Sequence, residues 1–128
     1  MATNRLPPMT RQVKIIHLIF KTHLDVGFTN LAHRVVSTYF DDHIPQAIET
    51  AARLRQRDQR ERFIWTTGSW LIDGYLEKAL PSARRRLEKA IEAGDITWHG
   101  LPCTMHCELM DVSLFRAGLS ISQKLDRR

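Results

Sequence analysis

Cysteine is nearly missing: the 128 residues hold two, Cys103 and Cys107. A bridge between residues so close would close only a tiny loop, so a disulfide framework is excluded and free thiols in a reducing compartment are expected. Long apolar runs are missing too. No stretch approaches the roughly 18 to 20 apolar residues that a spanning helix needs, and residues 1–12, MATNRLPPMTRQ, lack the apolar core of a secretory signal. The expectation is a cytoplasmic protein with no membrane partner. Acidic residues are outnumbered, 14 Asp and Glu against 19 Lys and Arg, which leaves a net charge of +5. The excess lies in two arginine clusters, residues 53–62 and Arg84 to Arg86, both mixed with acidic residues on expected helices. A solvated outer face explains them, and with few aromatics among the arginines no nucleic-acid partner is expected.

What is present is ordinary globular material, 43% hydrophobic and 26% charged, ordered as strand, helix, strand, helix, strand, helix. The run from Val13 to Lys21 is apolar and β-branched with little alternation, as in a strand covered on both faces. Helices are predicted over Asn30 to Phe40 and, after Asp41 and Asp42, over Ile44 to Arg57, where Pro45 falls in a first turn. A short strand spans Arg62 to Thr66, followed by a helix from Gly68-Ser69 to about Leu80. Pro81 opens another helix, which Gly94 stops. Asp95 to His99 reads as the third strand, its exit loop runs to Glu108, and Leu109 onward is helical. Such alternation makes parallel βαβ units with right-handed crossovers, an α/β class whose ligands bind where the strands end.

That rule directs attention to His23-Leu24-Asp25-Val26-Gly27-Phe28, the exit of the first strand. In an extended backbone His23 and Asp25 point to the same side, so an imidazole nitrogen and a carboxylate oxygen can converge on one cation. Gly27 permits a turn or a close approach, and Phe28 follows as an aromatic beside the site. His106, in the exit loop of the third strand, can add a nitrogen. Elsewhere the simplest readings are structural: His17 as a core histidine, His33 and His43 on helix surfaces, Trp65 and Trp98 as core aromatics. His99, Cys103, His106 and Cys107 match no familiar zinc knuckle.

Three segments then carry a family resemblance: His17 to Thr29 (HLIFKTHLDVGFT), Arg62 to Pro102, and Glu108 to Ser122 (ELMDVSLFRAGLSIS). Together they resemble the amino-terminal catalytic domain of family-38 glycoside hydrolases, the α-mannosidases. The resemblance implies that residues 1–12 are an extension and residues 13–128 a partial catalytic domain, the first part of a seven-stranded β/α barrel in a longer enzyme. It implies a single zinc ion, a carbohydrate substrate and retaining hydrolysis of α-mannosides. It makes His23 and Asp25 zinc ligands and gives Phe28, where the family usually has Trp, the task of stacking on the sugar.

Zinc takes nitrogen and oxygen ligands at about 2.0 to 2.2 Å and can fix vicinal hydroxyls as a template. Retention needs two carboxyl groups about 5 to 5.5 Å apart. The family's nucleophile, an Asp that also touches zinc, falls here between Thr104 and His106, where no carboxylate exists. Glu108 and Asp111 are the nearest substitutes, so the catalytic carboxylates are unassigned. A small self-contained zinc-binding module and a basic nucleic-acid-binding domain are the alternative functions.

Overall fold

The computed structural model describes residues 15, 16, 18–24, 26–57 and 62–128. Val13, His17 and Asp25 of the expectations above lie outside the described residues. Among the described residues three parallel strands form one sheet in the order β1 (Phe20–Lys21), β2 (Trp65–Gly68), β3 (Ile96–His99). Phe20 pairs with Trp65 and Trp65 with Ile96, while Lys21, Thr66 and Thr97 form the next row. The first strand is far shorter than its apolar run suggests. Since β2 begins only at Trp65, the described residues before Phe20 lie outside the paired rows of the sheet. Ile15, Ile16, Leu18 and Ile19 are consequently exposed.

The helices are α1 (Ala32–Thr38), α2 (Ile44–Arg57), α3 (Ser69–Lys78), α4 (Pro81–Glu92) and α5 (Val112–Asp126). The expected break at Asp41-Asp42 does not occur. Residues Tyr39–His43 form a π-helical turn, and both of its flanks, Thr38 and Ile44, keep helical dihedrals, so α1 runs into α2. Pro45 supplies the reason: a proline inside a helix lacks the N–H and crowds the carbonyl four residues back, and a wider turn just upstream absorbs the mismatch.

The α2 stripe of Ile44, Ala47 and Ala51 is buried, as are Leu71, Ile72, Tyr75 and Leu76 of α3 and Leu87 and Ala90 of α4. All of these except Ala51 pack with Trp65 and Ile96 into one core. Each large apolar side chain removed from water in this way contributes roughly 1.5 to 3 kcal/mol. Leu125 of α5 joins them, while Trp98 Nε1–H donates to Asp126 3.0 Å away and Lys124 bridges Asp73 and Glu77 of α3.

The end of α4 follows from Gly94. Its φ of +72° lets Gly94 N–H donate to Ile91 O at 2.8 Å and Asp95 N–H donate to Ala90 O at 2.9 Å, the paired bonds of a Schellman motif. Asp95 is thereby placed, 2% exposed, at the start of β3. Its carboxylate accepts from Arg55 of α2 and, at 3.4 Å, from Arg62. With Arg84 paired to Glu88, three arginines of the basic clusters hold acidic partners. No helix among the described residues is long and apolar enough to cross a membrane.

Candidate functional site

The exits of β1, β2 and β3 all lie at one edge of the sheet because the strands are parallel. Two contacts draw the β3 exit over the β2 exit. Helix α3 has no side-chain cap at its start; instead the Leu101 carbonyl accepts from Ser69 N–H at 3.3 Å and the Pro102 carbonyl from Trp70 N–H at 3.2 Å. The Ser69 hydroxyl, fully buried, also donates to Leu101 O at 3.2 Å. Gly68 permits this closeness, since a β-carbon there would lie 3.1 Å from the Pro102 carbonyl carbon and 3.3 Å from Cys103 Cα.

The result is an open cavity of about 800 Å³. The β1 exit contributes His23, Leu24, Val26 and Phe28, the start of α3 contributes Trp70, and the β3 exit contributes Pro102, Cys103, Thr104 and His106. Ile121 of α5 closes one side. Three of the four residues singled out from the sequence thus line one cavity; the fourth, Asp25, lies outside the described residues. Phe28 is 89% exposed, so its ring is free to meet a ligand. Gly27 has φ of +89°, the left-handed conformation that turns the chain just before it.

His23 is held from two directions. The Tyr39 hydroxyl, at the π-helical turn, donates to the His23 carbonyl at 2.7 Å, and Thr104 Oγ1 stands 2.9 Å from His23 Nδ1. His106 Nδ1 lies 3.2 Å from Glu108 Oε1, both side chains exposed. Asp111, the other substitute carboxylate, caps α5 by accepting from Leu114 N–H at 2.7 Å. Neither Glu108 nor Asp111 lines the cavity. His33 and His43 are exposed on their helices and Trp65 is buried, while Trp98 is half-buried.

On the sheet face that carries Lys21, Thr66 and Thr97, burial and the nearby Lys21 ammonium hold His99 below the usual histidine pKa.

Imidazole nitrogen is chemistry that zinc accepts. Yet among the described residues no three His, Cys, Asp or Glu side chains converge on a metal position, so these residues alone fall short of a four-ligand zinc centre. Three contributors were not visible to sequence reasoning. Tyr39 looked like one more member of a helix stripe, Thr104 like loop filler, and Trp70, 38% exposed in the cavity, like a helix residue. The one available signal was position: Trp70 and Thr104 each follow a strand end. Compared with family models, with curated proteins and with solved structures, the chain matches none.

Proposed function

We propose that this chain is part of the catalytic domain of a zinc-dependent retaining glycoside hydrolase resembling the α-mannosidases, cleaving α-mannosidic or related bonds. The observation that supports the reading is the meeting of His23, Phe28 and His106, from the exits of two strands, in one cavity at the edge where α/β sheets bind ligands. Zinc, when bound through His23, Asp25 and His106 with a further ligand from elsewhere, supplies positive charge to orient vicinal sugar hydroxyls. The chain's own part is to bind and orient. Phe28 offers an exposed ring to the C–H face of a sugar, and the Thr104 hydroxyl offers a hydrogen bond beside it. The exposed Ile15, Ile16, Leu18 and Ile19 and, among the described residues, a parallel sheet of only three strands fit a β/α barrel whose other strands complete them. On this reading the partner is a carbohydrate, not nucleic acid or membrane, and the setting is cytoplasmic.

The test is zinc content and hydrolysis of an aryl α-mannoside, measured on the product of the whole reading frame and on its His23→Ala variant. Wild-type protein should retain zinc and cleave; the variant should lose both. Full zinc occupancy in His23→Ala would remove His23 from the ligands. Stoichiometric, chelator-reversible zinc with no hydrolysis of any aryl glycoside would favour the zinc-binding module.

A further inference from the structure

The two cavity imidazoles share one pattern. In His23 and in His106 it is Nδ1 that meets a neighbour from the β3 exit, Thr104 Oγ1 at 2.9 Å and Glu108 Oε1 at 3.2 Å. Among the described residues neither ring has a second hydrogen-bond partner. A carboxylate carries only lone pairs, so the hydrogen between His106 and Glu108 belongs to Nδ1. A threonine hydroxyl can accept as well as donate, and exposed Thr104 can give its own proton to water while its oxygen receives Nδ1–H. Neutral imidazole has a single N–H, so whichever group occupies one nitrogen decides what the other can do.

We infer that Thr104 is a positioning residue: its hydroxyl accepts Nδ1–H of His23, fixes that tautomer, and leaves Nε2 as a lone-pair donor facing ligand, as Glu108 does for His106. The backbone of His23 is already tied down by the Tyr39 hydroxyl, so the freedom that Thr104 removes is that of the ring itself. The tautomer stands independently of the proposed function; its use by a divalent transition metal rests on that reading. In metal sites the hydrogen bond on the far imidazole nitrogen orients the ring and raises its basicity, which is the task the geometry gives to Thr104. One exposed hydrogen bond contributes little to stability, so removing it should leave the fold in place.

The experiment uses the whole 15N-labelled chain without metal at about pH 8.5, well above the ordinary histidine pKa of about 6.5. Long-range 1H–15N correlation spectra then show which ring nitrogen carries the hydrogen. Nε2 should be the bare nitrogen in both His23 and His106. Thr104→Val should mix the two tautomers of His23 while leaving those of His106 alone, and Thr104→Ser should restore the wild-type spectrum. Thr104→Ala serves as a second variant if the valine perturbs folding. Calorimetric titration of the product of the whole reading frame with Zn²⁺ alone should show binding weakened about 10- to 100-fold by Thr104→Val and recovered by Thr104→Ser. A His23 ring protonated at Nε2 in the wild type, or unchanged tautomers in both hydroxyl-free variants, overturns the inference. Expected tautomers with no zinc uptake would instead sink the zinc reading and leave Thr104 setting the ring.

Discussion

The Pro102 carbonyl occupies the space where Gly68 would carry a side chain. Strand β2 and the exit of β3 therefore meet backbone to backbone, and the cavity's far wall is built on that contact. Gly68→Ala forces the loop outward, because a peptide group cannot swing aside as a flexible side chain can. The expected loss is about 1 to 3 kcal/mol of unfolding free energy. It should be read by urea denaturation, together with loss of the Thr104 effect on the His23 ring in NMR spectra.

Asp95, at the start of β3, holds Arg55 of α2 and Arg62, which lies just ahead of β2. Removing a buried acceptor leaves its donors with less than they had, so Asp95→Ala should cost about 1 to 3 kcal/mol. The anchor lies at the amino ends of the strands, away from the cavity, so ligand affinity of the folded fraction should be unchanged. A variant as stable as wild type would deny the anchor any energetic weight.

Gly94 adopts a left-handed conformation at the end of α4, where a β-carbon is strained. Gly94→Ala should cost about 1 to 2 kcal/mol, measured as a lower denaturation midpoint with an unchanged slope.

His99 gives a pH dependence. Its pKa in the folded protein is below the ordinary 6.5, first because it is partly buried and second because Lys21 is near. The unfolded chain takes up this proton at higher pH than the folded one, so acidification favours unfolding. Stability should fall as pH drops through and below 6.5, and His99→Gln should flatten that portion of the curve in thermal melts taken across this range.

Phe28 is so exposed that its loss should scarcely touch the fold. Phe28→Ala should leave unfolding free energy within about 0.5 kcal/mol of wild type. Binding of a mannoside should weaken, and Phe28→Trp should retain or strengthen it by offering a larger ring. Equal sugar affinity in all three proteins would remove Phe28 from the site.

The amphipathic helices were legible in the sequence because they are written locally. The spacing of Ile44, Ala47 and Ala51 gave α2, and Gly94 gave the end of α4. The length of β1 was not, since apolar content says that a segment wants burial, while pairing depends on where β2 begins. The unbroken passage from α1 to α2 was hidden for a similar reason: Asp41, Asp42 and Pro45 look like an interruption, and a π-helical turn resolves the conflict without one. In the site, His23 and Phe28 announced themselves by residue type at a strand exit. Thr104 and Tyr39 matter through what they touch, and both contacts join residues far apart in the chain.

His23 is gripped by one hydroxyl from the first third of the chain and another from the last quarter. Recognition must then be among the last things this molecule acquires as it assembles. A partly folded form with its long amino-terminal helix docked but the loop after β3 unplaced would have nearly native circular dichroism and no competent pocket. Slow-folding or clipped variants should lose ligand capture well before they lose helical signal.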